Sequence, residues 1–152
     1  MSAATIEAPP PWPDPRALLP HDASMVFIER ILEVGEGTIA CRVVPGTADA
    51  DFVEHGVIPG TMGVEYMAQT IGVYASLRAE PDRRREIGYV ISVRDLSLAV
   101  PAFTVGQVLV VRATWQWGQD RLGRFQTAIE HEGRELSRAV MSVYRPPPEE
   151  RP

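Results

Sequence analysis

The chain contains no lysine. All fifteen of its basic residues are arginine, which excludes chemistry that runs through a lysine Schiff base. A single cysteine, Cys41, excludes an internal disulfide and a cysteine-rich metal site. It stands in an apolar, strand-like run and reads as a buried, inert thiol. The three histidines, His21, His55 and His131, are scattered, and with one cysteine they make no ligand set, so no metal is expected. No glycine-rich phosphate loop follows a strand, so no nucleotide cofactor is expected. No apolar run approaches the ~20 residues that cross a bilayer. The opening stretch MSAATIEAPPPWPDP lacks the basic and apolar regions of a secretory signal. A cytoplasmic protein off the membrane is therefore expected. The net charge of −5 gives no general basic surface for nucleic acid.

What is present suits one domain. The 152 residues are 45% apolar and 23% charged, an ordinary globular composition. Proline gathers at both ends, in APPPWPDP and RPPPEERP, where neither helix nor sheet is expected. The reading is a tail over 1–15, a domain over 16–144 and a second tail over 145–152. Trp12 is a candidate to pin the first tail to the body. Asp14-Pro15 suits the start of a short helical turn.

The runs MVFIERILEVG and IACRVVP read as a strand hairpin across GEGT. The stretch GTADADFVEHGV reads as loop. From Gly60 to about Ala79 the period changes. Met62, Tyr66, Met67, Ile71, Tyr74 and Ala75 recur at three- and four-residue spacings, a helical pattern. The segment has no basic residue before Arg78, so it reads as an enclosed helix, apolar nearly all round, with Pro81 as its stop. Four strand-like runs follow: 87–100, 107–118, 122–133 and 134–144. Trp115 and Trp117 alternate with polar residues and read as sheet-face packing. One long helix between two strands and four strands predicts an α+β fold, with an antiparallel sheet wrapped around the helix.

Three stretches carry a family resemblance: LLPHDASMVFIERILEV, IPGTMGVEYMAQTIG and VPAFTVGQVLVV. Together they resemble the hot-dog fold and, within it, the FabZ type of 3-hydroxyacyl-acyl-carrier-protein dehydratase. The resemblance implies about six antiparallel strands around one central helix. It also implies dehydration of a (3R)-3-hydroxyacyl thioester to the trans-2-enoyl thioester, in fatty-acid or polyene lipid synthesis. One departure stands out. The chain reads His-Gly-Val-Ile-Pro-Gly where the family carries His-Phe-Pro-Gly and a longer loop. This shortened form is similar to the dehydratase branch of aryl polyene pathways.

Such an elimination needs a base for the C2 proton, a donor to the thioester oxygen and an acid for the C3 hydroxyl. Histidine suits the base because it titrates near neutrality. His55 is the first candidate, and His21, in Leu-Pro-His, is its rival. Glu65 suits the acid if burial holds it protonated. The helix start near Gly60, Thr61 and Met62 offers backbone N–H groups for an oxyanion. Gly60 and Gly63 would let substrate approach the backbone. Gln69, one turn beyond Glu65, could orient the carboxyl. His131 reads as an exposed turn residue. By resemblance, the His of one subunit faces the Glu of another in a homodimer or larger homo-oligomer, with a heterodimer possible, and the acyl chain enters a tunnel along the helix. Arginines 83–85 read as a solvated helix end, or as a dock for an acidic acyl carrier protein. The alternatives are a hot-dog thioesterase and a non-catalytic partner subunit.

Overall fold

The computed structural model describes residues 11–147 and 149. Residues 1–10 of the proline-rich N-terminal segment, and 148 and 150–152 of the C-terminal one, lie outside the described residues. Trp12 packs against the core cluster. Asp14 accepts the Arg16 N–H at 2.9 Å and caps a 3-10 turn over Pro15–Ala17.

Strands β1 (Arg30–Gly35) and β2 (Thr38–Val43) form the first hairpin. The strand expected from Met25 starts later. Asp22 caps a 3-10 turn over Ala23–Met25, and the Phe27 N–H donates to the Gln69 side chain instead of a sheet neighbour. Strand β3 (Val57–Pro59) leads into helix α1 (Met62–Arg78). Strands β4 (Tyr89–Leu98), β5 (Ala102–Thr104), β6 (Leu109–Gln119), β7 (Leu122–His131) and β8 (Arg134–Tyr144) complete the domain. Six of them form one antiparallel sheet in the order β1-β2-β6-β7-β8-β4. The short strands β3 and β5 pair separately.

Helix α1 lies against this sheet. Tyr66, Met67, Ile71 and Val73 are buried with Val111, Ile129 and Met141. Gly63 is what allows the close approach: a Cβ there would stand 2.8 Å from Ile129 Cδ1 and 3.2 Å from the Phe103 ring. The Tyr66 hydroxyl donates to buried Asp49, whose other oxygen accepts the Gly46 N–H at 2.7 Å. This fastens the loop after β2 to the helix.

The helix is not enclosed all round. Glu65, Ala68, Gly72 and Ala75 are only partly buried, and their spacing of three and four residues puts them on one face. That stripe is the floor of a cavity.

Candidate active site

The cavity has a volume of about 360 Å3. Its floor runs from Glu65 to Ala75, about 15 Å at the rise of an α-helix. Trp115, Phe125 and Val143 from the sheet line it, and Arg78, Glu86 and Arg145 add charge beyond Ala75. Trp115 lies over Gly118 of the same strand, where a Cβ would stand 2.9 Å from its Nε1, and its 47% exposed side chain also lines the cavity. A bulge between Trp115 and Trp117 breaks the strand alternation on which the packing expectation rested.

His21 and Glu65 meet at the other end. The Nε2 of His21 lies 3.5 Å from Oε1 of Glu65, and their side chains are 35% and 42% exposed. Glu65 is therefore not buried by its own chain. It stands one turn into the helix, on the face that it shares with Ala68 and Gly72, and points into the cavity. The Nδ1 of His21 is buried and meets no hydrogen-bond partner among the described residues.

Gln69 holds this end together. Its Nε2 donates to Glu65 Oε1 at 2.9 Å and to the Met25 carbonyl at 2.8 Å. Its Oε1 accepts the Phe27 N–H at 2.8 Å. One buried amide thus orients the carboxylate and ties down the segment that follows His21.

His55 lies elsewhere on the chain. It does not line the cavity, its side chain is 90% exposed, and its Nδ1 lies 3.9 Å from Glu54. The Glu54 N–H donates to the Val57 carbonyl at 2.9 Å, and the Val57 N–H donates back at 3.2 Å. His55 and Gly56 between them have φ of 53° and 77°. These are the central positions of a two-residue hairpin turn of the I′ kind, which needs positive φ at both. His55 and Glu65 are not brought together within one chain. The pairing expected across subunits involves a second chain.

The helix start differs from the expectation. The Gly60 N–H is already used, donating to the Pro101 carbonyl at 2.8 Å. A Cβ on Gly60 would stand 3.1 Å from that same oxygen. Gly60 and Gly63 are buried, and the space a side chain would take at each is filled by the chain's own atoms. Thr61 is exposed and makes no side-chain cap. With Gly63 and Val64 donating to Gly60 and Thr61, the remaining N–H groups at the helix start are those of Thr61 and Met62.

The arginine run is more than a solvated end. Arg85 Nε donates to the Leu19 carbonyl at 2.9 Å, two residues before His21, and Arg84 Nε is buried. Arg83 lines the cavity. His131 is 26% exposed, with Nδ1 3.1 Å from the Val108 carbonyl, and stands outside the cavity. Cys41 is fully buried, and burial pushes its thiol up to about 12. Among the described residues no cluster of His, Cys, Asp and Glu could hold a metal, and no helix is long and apolar enough to cross a membrane.

Comparison with known proteins places the chain in a family. The family model described as ApeP-like, ApeP dehydratase, matches residues 13–151. The 3-hydroxyacyl-acyl-carrier-protein dehydratase FabZ of Geotalea uraniireducens (strain Rf4) is 26% identical over 98 residues, 61% of this chain and 68% of that one. FabZ of Solibacter usitatus (strain Ellin6076) is 32% identical over 90 residues, 57% of this chain and 55% of that one. The match thus spans little more than half of the second relative's length. Among solved structures, the dehydratase heterocomplex ApeI:P from Xenorhabdus doucetiae superimposes with a TM-score of 0.84 at 27% identity, covering 91% of this chain and 95% of that one. The HP0420 homologue from Helicobacter felis, with a TM-score of 0.64 at 14% identity and coverage of 90% and 91%, shares the fold. The helix on its six-stranded sheet is a hot-dog fold, and the chain belongs to the ApeP-like family of dehydratases.

Proposed function

We propose that the protein dehydrates a (3R)-3-hydroxyacyl thioester, carried on an acyl carrier protein, to the trans-2-enoyl thioester, with His21 as base and Glu65 as acid. The observation that carries this reading is the 3.5 Å approach of His21 Nε2 to Glu65 Oε1 at the head of a cavity that follows the helix. Bound with its C2–C3 bond against this pair, the substrate meets both groups from the same side. The imidazole takes the C2 proton. Glu65 is 42% exposed in the free chain, so bound substrate that covers it is what keeps a proton on its carboxyl; Glu65 gives that proton to the departing C3 hydroxyl, which leaves as water. The proton on His21 then returns to Glu65, and 3.5 Å is a distance that one small rotation closes. The acyl chain lies along the cavity floor at Ala68, Gly72 and Ala75.

The test follows the product. A 3-hydroxyacyl thioester should give the enoyl absorbance with no free thiol, and Glu65→Gln should lower that rate ~10²–10⁴-fold, the usual contribution of a general acid. Thiol release without enoyl product would replace this reading with a thioesterase.

A second reading gives the base to His55, supplied to the Glu65 of an adjoining subunit. Its favouring observation is the hairpin tip that turns His55 outward, 90% exposed. Oligomerisation itself has separate support. β4 pairs with β8 alone and exposes a row of apolar side chains, with Ile91 at 57%. A long apolar edge strand invites another strand. The relative from X. doucetiae is a heterocomplex. We infer that β4 joins a second subunit, and a monomer mass by light scattering would contradict it.

A further inference from the structure

We propose that Arg85 is a positioning residue for the base: it holds the backbone that aims His21 at Glu65. The inference rests on His21 acting as the base.

A catalytic imidazole is normally oriented through its second nitrogen, by a carboxylate or a backbone carbonyl. His21 lacks this. Its Nδ1 is buried without a partner among the described residues, and its Nε2 faces Glu65 at 3.5 Å. The aim of the ring therefore falls to the main chain that carries it. His21 and its neighbours Ser24 and Met25 lie in no strand of either sheet, so no ladder of hydrogen bonds fixes that segment. Local turns hold its two ends, with the Leu18 and Leu19 N–H groups donating to Pro15 and the Met25 N–H donating to Asp22, and two side chains from outside the segment add to them. On the far side, Gln69 takes the Met25 carbonyl and the Phe27 N–H. On the near side, Arg85 Nε donates to the Leu19 carbonyl at 2.9 Å. Leu19 itself is 1% exposed and Pro20 has a ring-fixed φ. A carbonyl held two residues before His21 is thus transmitted through a stiff dipeptide.

The backbone of Arg85 supports a positional role. Its φ is 65°, a left-handed conformation that is unfavourable for a residue with a side chain. The neighbouring arginines do not share the contact: Arg83 pairs with Glu86 at 3.8 Å, and among the described residues neither Arg83 nor Arg84 hydrogen-bonds to the 18–21 segment. The run at 83–85 thus holds one residue that serves the site by its geometry, beside two whose charge alone would suit an acidic carrier.

The two roles separate by substrate. A small thioester, such as an N-acetylcysteamine 3-hydroxyacyl thioester, has no carrier to dock. Arg85→Ala should lower kcat on this substrate about tenfold or more, with KM within about twofold, because misplacing a catalytic group costs rate rather than binding. Added guanidinium ion should restore part of the rate to Arg85→Ala. Arg85→Gly keeps the left-handed backbone while removing the side chain, and should show the same loss if the alanine variant folds poorly. Unchanged kcat on the small thioester in either folded variant overturns the inference; so does a loss seen only with the carrier-bound substrate, which would make Arg85 a docking residue. A kcat loss that only parallels a loss of folded protein by thermal melt also overturns it. His21→Ala is measured alongside. Full activity there removes the reading of the base itself, whereas an inactive His21→Ala with a fully active Arg85→Gly removes only the role of Arg85.

Discussion

Gln69 carries three hydrogen bonds from one buried amide, to Glu65, Met25 and Phe27. Gln69→Leu would keep the size of the side chain and strip all three. It leaves the Phe27 N–H buried without a partner, which costs about 1–3 kcal/mol, and it releases Glu65. The expected outcome is a lower urea midpoint together with a fall in kcat larger than the loss of folded protein explains. A normal kcat in the folded fraction would show that Glu65 needs no orienting partner. Glu65 and Gln69 were legible in the sequence because one helical turn separates them, and local spacing alone puts both on one face. Local spacing says nothing of His21. Its partner lies far along the chain, and only the tertiary fold brings the two together. His55 drew attention because it stands just before the helix motif. In the structure, His-Gly is also the pair of residues that a tight hairpin turn with positive φ accepts, and that local demand leaves no mark distinct from a catalytic one.

Helix α1 was readable as an element, since Met62, Tyr66, Met67 and Ile71 repeat at helical spacing over a long stretch. Strands β3 and β5 were not. Each is three residues long, too short for alternation to register, and they pair with each other across the chain rather than in a hairpin. The roles of Gly60 and Gly63 were also invisible, because a glycine that admits a ligand and one that admits a neighbouring side chain look alike in sequence. Gly63 gives the test at this scale. A Cβ there meets Ile129 Cδ1 at 2.8 Å and the Phe103 ring at 3.2 Å, so Gly63→Val forces the helix off the sheet. Overpacking of this kind costs about 1–3 kcal/mol, and urea unfolding should read it directly. A Gly63→Val protein of wild-type stability would contradict the packing role.

For the whole molecule, two buried groups set the alkaline limit. Burial, then the Asp49 carboxylate, pushes the Tyr66 hydroxyl well above its usual 10.0. Burial pushes Cys41 from 9.0 up to about 12. In both cases the folded state holds the proton more tightly than the unfolded chain. Stability from these groups is fully present below pH 9 and falls as pH rises, by up to about 1.4 kcal/mol per pH unit for each group in the window between its two values. Unfolding free energy measured from pH 8 to 11 should decline, and Cys41→Ala should flatten the fall above pH 9. A flat wild-type profile would contradict the account. The overall architecture of one helix against an antiparallel sheet was legible because strand and helix periods differ so clearly along the chain. The exposed edge at β4 was not, since an apolar strand reads the same whether it lies inside a sheet or waits for a second chain. The pairing of His21 with Glu65 is tested by comparing His21→Ala with His55→Ala in hydration of an enoyl thioester. His21→Ala should lose ~10²-fold or more in kcat while His55→Ala stays within about twofold of the unaltered protein; an active His21→Ala beside an inactive His55→Ala would contradict the account.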